Sequence, residues 1–296
     1  MKKIILVLLV PMFVGCATAT QVATTVGVSA GYITEEQKQA MDKTAVKAEK
    51  AARPVSETEE YYIGRGVAAT ILTKYSLYRN QTVTAYVNYV GNTVVLGSPR
   101  PYTYGGYHFA VLDTNEINAF ACPGGTIFVT KGMLKMVRTE DELASVLSHE
   151  VGHVAQKHGL QAISNARWTE VVTTLAMETA KTYTAAEMAS LVDLFQGTVD
   201  DVFKTLVVNG YGREQELQAD GLAIGCMKAC GYDGRQFVSL LDRLEQTSKQ
   251  ASGGIFATHP DLAERIQAAK GPGTAAARPP APEERIVRFK KTAISW

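Results

Sequence analysis

His149-Glu150-Val151-Gly152-His153 constrains this chain more than any other stretch of it. The pentapeptide reads H-E-x-x-H, and it lies in a segment, Thr139 to His158, that carries the marks of a helix. Thr139 followed by Glu142 fits a capping box, and Asp141 adds negative charge to the first turn. Leu143, Val146, Leu147 and Val154 recur at the helical period and form one buried stripe. Lys157 and His158 close the segment, and Gly159 stands where a C-cap glycine belongs. On such a helix His149 and His153 project from one side, one turn apart, at the edge of the apolar stripe. Two imidazoles and a carboxylate so placed can hold a zinc ion and activate a water.

Two histidines do not complete a catalytic zinc site, which takes three protein ligands and keeps one position for water. A third histidine ten positions after the first is one solution, but the chain has Gly159 there. His158 points about half a turn away from His149 and reads as a helix-end histidine near the terminal carbonyls. Glu216 is the better candidate. On a helix through 213–220, Glu216 and Asp220 share a face with Leu217, Ala223, Ile224 and Met227. Two carboxylates on an apolar face are costly unless paired or metal-bound. Glu216 would complete the site, with one zinc per chain. Asp220 would accept the second N–H of a ligand histidine and fix its tautomer. An ion pair of Glu216 with Arg213 is the alternative.

The run from His149 to Ala155, with Glu216-Leu217-Gln218-Ala219-Asp220, resembles the gluzincin zinc metallopeptidases of the HtpX, Oma-type and CAAX prenyl protease family. Asn118-Ala119-Phe120-Ala121-Cys122-Pro123-Gly124-Gly125 is similar to that family's edge-strand motif. Thr258-His259-Pro260 and Arg265 are similar to its downstream segment. The likeness runs from about Ile63 to Ala269. It implies an α+β fold, a mainly helical zincin-type domain with a small β-sheet beside the H-E-x-x-H helix. It implies His149, His153 and Glu216 as zinc ligands, Glu150 as the general base toward a zinc-activated water, and Asp220 behind the ligands. His259 would be a switch that approaches the metal and blocks its open position; a loop histidine before a proline turn is the other reading. Arg265 would be a substrate or transition-state contact, or an ordinary helix-surface arginine. Asn118, Ala119 and Phe120 would form a strand edge that holds an extended peptide by main-chain hydrogen bonds. The Pro123-Gly124-Gly125 turn fits a structural hairpin equally, and the two readings are compatible.

The implied function is a zinc metalloendopeptidase that cuts misfolded or unassembled envelope proteins, with the outer-membrane assembly machinery as a partner. The alternative is a non-catalytic, chaperone-like lipoprotein that binds extended peptides at the same strand. Glu150 speaks against the alternative, because binding alone needs no general base.

Lys2 and Lys3 precede an apolar run, Ile4 to Val14, that contains Pro11 and is too short to span a bilayer. This pattern reads as a secretory signal peptide. Phe13-Val14-Gly15-Cys16 resembles a bacterial lipobox, which would lipidate Cys16 and tether the chain to the membrane, while Ala17-Thr18-Ala19 offers ordinary cleavage. The expected location is the periplasm, as an outer-membrane lipoprotein, or as a soluble secreted or periplasmic protein if cleavage is ordinary. With 30 basic and 29 acidic residues and a net charge of +1, nothing points to nucleic acid. Cys226 and Cys230 are four apart, where a disulfide would be strained.

The division expected is a signal peptide over 1–15, a tether and peripheral helix over 16–56, the peptidase domain over 57–270 and a Pro/Ala-rich tail over 271–296. Small polar residues from Thr18 to Ala30 read as the tether, and Thr34 to Ala52 as a charged helix. Thr169 to Phe203 reads as amphipathic helices. The tail reads as flexible or extended, with Ile286 to Phe289 able to add a short strand.

Overall fold

The computed structural model describes residues 16–52, 54–163, 185–248, 254–271, 274 and 281–293. The chain forms two compact units, 1–54 with 164–195, and 55–163 with 196–296. The expected signal peptide and much of the 169–203 stretch lie outside the described residues.

In the first unit, helices α1 (Cys16–Ser29) and α2 (Glu35–Ala52) pack together. Thr34 caps α2 reciprocally: its hydroxyl accepts from Gln37 N at 3.2 Å and its N–H donates to Gln37 Oε1 at 2.9 Å. Thr24 Oγ1 donates to Asp42 at 2.7 Å across the pair. The expected tether at 18–30 is therefore helical. Alanine, valine and threonine there extend α1 because α2 gives it a packing partner, which outweighs weak propensity.

The second unit begins with α3 (Glu57–Lys74), opened by a Ser56/Glu59 capping box, and α4 (Gln81–Val95), capped by Asn80. Val83, Val87, Val90 and Val94 line one fully buried face of α4. They pack on a three-stranded sheet of β1 (His108–Leu112), β2 (Ala119–Ala121) and β3 (Thr126–Thr130) in the order β1-β3-β2. β1 runs parallel to β3 from His108↔Thr126 to Leu112↔Thr130, and β2 runs antiparallel with Phe120↔Phe128 at its centre. β2 is thus an edge strand, and a 3-10 turn over Pro123–Gly125 joins it to β3. α5 (Lys131–Met136) leads to α6 (Glu140–Ala155), whose residues 140–154 are all buried.

α6 is the axis of the unit. Thr139 Oγ1 accepts from Glu142 N at 3.1 Å, but the Glu142 carboxylate reaches Arg138 N at 2.6 Å and not the cap itself. α6 ends at Ala155, and Lys157, with φ 55°, takes the left-handed position expected of Gly159. A short helix, α7 (His158–Gln161), follows. α8 (Ala185–Lys204) continues through a π-turn (Thr205–Asn209) toward α9 (Arg213–Ala229), which packs along α6. α10 (Arg235–Ser248) buries Phe237, Leu240, Leu241 and Leu244, and α11 (Ile255–Thr258) and α12 (Leu262–Ala269) bracket the Thr258-His259-Pro260 turn.

Residues 283–293 depart from expectation. α13 (Glu283–Ala293) replaces an extended tail, and its Phe289 and Thr292 are buried. Glu283 and Glu284 at its start and Lys290 and Lys291 at its end suit the helix dipole, a signal masked by the preceding Pro/Ala run. Cys226 and Cys230 are free thiols, and Cys230 Sγ turns to Thr93 O at 3.0 Å. No helix among the described residues is long and apolar enough to cross a membrane. The architecture is α+β, helices around one small sheet.

Candidate active site

Gly152 decides how α6 and α9 meet. A Cβ there would lie 3.0 Å from Ala219 O and 3.1 Å from Ala219 Cα, so the glycine lets the two backbones approach. That approach brings Glu216 and Asp220 of α9 onto His149 and His153 of α6. His149 Nε2 and His153 Nε2 are 3.0 Å apart; Glu216 Oε2 is 3.5 Å from the first and Oε1 is 3.4 Å from the second. Oxygen and nitrogen ligands about a tetrahedral zinc are roughly 3.3 Å from one another. The two imidazole nitrogens and the Glu216 carboxylate therefore converge at separations of the size a zinc ligand set needs.

Hydrogen bonds set the tautomers that leave both Nε2 atoms as acceptors. His149 Nδ1 is 2.8 Å from Asp220 Oδ1, so its proton sits on the Asp220 side. His153 Nδ1 is 2.8 Å from His158 Nδ1, His158 Nε2 is 3.1 Å from Gln218 Oε1, and the Gln218 amide donates to Glu214 at 3.1 Å. Read in order, that chain puts a proton on His153 Nδ1 and frees its Nε2. His158, expected at a helix end near carbonyls, is instead fully buried and orients His153. The left-handed turn at Lys157 folds it back.

The charges are unequal. Glu150, Glu216 and Asp220 are 1, 0 and 3% exposed, and Arg265, at 3%, is the buried cation facing them. Burial acts to raise both Glu216 and Asp220, but His259 and Arg265 hold Glu216 far down, and Arg265 and His149 hold Asp220 down. Burial acts to lower His149, yet its bonds to Asp220 and Glu216 prevail and push it up to about 9. Burial keeps His153 far below its usual value and raises Glu150. A proton on His149 and a metal ion compete for the same lone pair, so the carboxylates that attract the one attract the other. Glu150 Oε2 and the Tyr211 hydroxyl are buried with no hydrogen-bond partner, and Tyr211 stacks on His153 at 3.9 Å. Orphaned acceptors beside a converging ligand set fit a metal ion and its water. Among the described residues, the buried group that can hold a metal is His149, His153, Glu216 and His259, with ligand atoms within 4.8 Å of one another.

His259 completes that group. Its Nδ1 is 3.2 Å from His149 Nε2 and 3.0 Å from Glu216 Oε1, and its Nε2 is 3.8 Å from Glu150. Arg265 is not on a helix surface: it clamps Asp220 through Nε and Nη2, both at 2.8 Å, and its Nη1 is 3.4 Å from His259 O. Asn118, Ala119 and Phe120 are also buried, at 1, 0 and 1% exposure. Asn118 Oδ1 accepts from Ala119 N at 2.9 Å and from Thr258 Oγ1 at 3.2 Å, tying β2 to the turn that carries His259. The side chain of Asn118 is a clamp, and the outer edge of β2 keeps the carbonyls of Ala119 and Ala121 and the N–H of Ala121 out of the β3 ladder. Cys122, just past β2, is fully buried, and burial, then the Glu150 charge, raises its thiol pKa.

Residues 81–272 match Peptidase family M48. The chain is 27% identical over 251 residues to a beta-barrel assembly-enhancing protease of Yersinia pestis, covering 82% of this chain and 50% of that one. It is 27% identical to Metalloprotease LoiP of Escherichia coli over 67% of this chain and 72% of that one. It is 28% identical to Mitochondrial metalloendopeptidase OMA1 of Arabidopsis thaliana over 54% of this chain and 30% of that one. The chain spans half or less of the length of the beta-barrel assembly-enhancing proteases it matches. The family match covers most of the chain and takes in α6, α9 and the His259 turn together; the chain belongs to peptidase family M48.

Proposed function

We propose that this chain is a zinc-dependent endopeptidase acting on extended, non-native polypeptides of the bacterial envelope. The observation that carries this reading is the facing triangle of His149, His153 and Glu216, with the buried, unpartnered Glu150 carboxylate beside it. His149, His153 and Glu216 would hold the zinc, which supplies Lewis-acid polarisation of a carbonyl and acidifies water. Glu150 takes the proton of the attacking water and delivers it to the leaving amine. Asp220 and His158 keep the ligand histidines in the tautomer that presents Nε2. Arg265 neutralises Asp220 and fixes the turn that carries His259. The outer edge of β2 has main-chain groups outside the ladder, and an extended chain would pair with them once the cover over these residues, 0–3% exposed, moves aside; such pairing suits tolerance of sequence.

His259 lies at the fourth corner of the ligand set, and we take it as a plug that substrate displaces. The relatives' names support peptidase activity and, for one group, a link to β-barrel assembly; the latter is a proposal for this chain. So are lipidation at Cys16 and an outer-membrane location, which rest on the leader and lipobox. Purified protein should digest casein, lose activity to a chelator, and regain it with zinc. Activity that survives complete metal removal rejects the proposal. A chaperone-like binder without catalysis is disfavoured, since an orphaned buried carboxylate is destabilising unless chemistry uses it.

A further inference from the structure

Three tyrosines stand out of the surface beside the turn that ends β2. Tyr62, Tyr102 and Tyr104 are 54, 81 and 58% exposed. Tyr61 packs against two of them, its ring 5.3 Å from that of Tyr62 and 5.4 Å from that of Tyr104, and Arg65 donates to its hydroxyl at 3.1 Å. Rings this exposed add little to the core, yet Tyr62 sits on α3 and the loop that carries Tyr102 and Tyr104 is tied to the turn. Thr103 Oγ1 donates to Gly124 O at 2.8 Å. A Cβ on Gly124 would lie 2.9 Å from Tyr61 Cα, and one on Gly125 2.8 Å from Gly106 O; both glycines also have positive φ.

Beneath this contact sits Glu60, which is fully buried. Its carboxylate accepts from Gly124 N at 3.1 Å and from Arg100 at 2.8 and 2.9 Å, and lies 3.3 Å from Lys157 Nζ at the end of α6. The tyrosine loop, the Pro123–Gly125 turn and the end of α6 are therefore one braced block. The brace fixes the rings without covering them.

We propose that Tyr61, Tyr62, Tyr102 and Tyr104 form an aromatic platform for apolar and aromatic side chains of an extended, non-native polypeptide, several residues from the bond that is cut. This rests on reading the outer edge of β2 as the place where substrate lies. The occupant follows from continuity. α6, which carries Glu150, packs on both β2 and the turn to which the tyrosine loop is tied, and Cys122 and Gly124 are at most about 7 Å apart along the chain. A chain lying along β2 and leaving past Pro123 meets the rings. Tyrosine presents a large amphipathic face with few rotatable bonds, so it captures varied side chains at low entropic cost. Arg65 is directed at Tyr61, and the platform selects by apolar surface more than by charge. Folded proteins do not offer extended apolar segments; unfolded chains do.

The test uses the full chain carrying Glu150→Gln, so that binding is read without cleavage. The probe is fluorescein-labelled, reduced and carboxymethylated α-lactalbumin, followed by anisotropy. Adding Tyr62→Ser, Tyr102→Ser and Tyr104→Ser together should raise Kd about tenfold or more, with melting temperature and zinc content unchanged. Tyr32→Ser, at a residue 85% exposed in the first unit, should leave Kd where it was. An unfolded Gly/Ser-rich polypeptide of similar length should bind about tenfold more weakly than the lactalbumin. A Kd within about twofold of the parent's for the triple variant, or equal binding of the Gly/Ser chain, overturns the platform. Casein digestion by the chain with Glu150 intact separates the two readings. Digestion with unaltered binding in the triple variant sinks the platform alone. No digestion with weakened binding sinks the peptidase reading and leaves the platform standing.

Discussion

The two ends of α6 bury acids in opposite ways. At its N-terminus Glu140, Asp141 and Glu142 are each met by an arginine: Arg288 pairs with Glu140 at 2.6 Å, Arg285 with Asp141 at 2.9 Å and Arg243 with Glu142 at 2.6 Å. Tyr86 and Tyr232 hydroxyls add bonds to Glu140 at 2.9 and 3.2 Å. At the other end Glu216 and Asp220 share Arg265, and Glu150 Oε2 has no hydrogen-bond partner. The first cluster is balanced and helps fix where the helix starts. The second has one arginine for two charged carboxylates and draws the remaining positive charge as a proton onto His149, whose lone pair a metal ion would take instead. Balance marks structure here, and imbalance marks the place for a divalent cation.

The comparison breaks most sharply at Glu150. Glu150→Gln keeps the ligands and should retain zinc while kcat on casein falls about a thousandfold; turnover near the wild-type rate would remove Glu150 from the chemistry. At the balanced end the effect should fall on stability instead. Arg243→Met leaves Glu142, 2% exposed, as a buried unpaired charge and should cost about 3 kcal/mol in denaturant unfolding, with zinc stoichiometry intact. Loss of zinc at constant stability would show that the two ends are not separable. His158→Phe strips the acceptor from His153 Nδ1 and should weaken zinc binding about tenfold in a chelator competition; unchanged affinity would deny His158 its orienting role. The smallest shift is expected at His259: if it plugs the site, His259→Ala should raise casein turnover a fewfold and leave zinc content alone, whereas a fall in activity would make it a working residue.

Much of this was legible before the fold was known. The pentapeptide, its spacing and the amphipathic placement of Glu216 and Asp220 name the side chains that α6 and α9 bring together, because four-residue spacing on a helix is geometry that a sequence carries. The β2–turn–β3 hairpin was legible from its Pro-Gly-Gly turn. His158 was not legible: a left-handed turn is expected at glycine, and here Lys157 takes it. Arg265 reads in sequence as one polar residue on a short helix, and only the approach of α12 to α9 buries it. The imbalance of charge was invisible for the same reason. It depends on which arginines arrive from 235–293, and α13 was hidden behind a run of proline and alanine.

The central claim is that the unbalanced end of α6 holds one zinc ion. Metal-free full-length protein titrated with zinc in a calorimeter tests it most directly, run beside a chain carrying His149→Ala and Glu216→Gln. The account predicts one zinc per chain, tightly bound in the wild type and lost in the double variant. Failure of the wild type to bind zinc, or equal binding by the double variant, would contradict it.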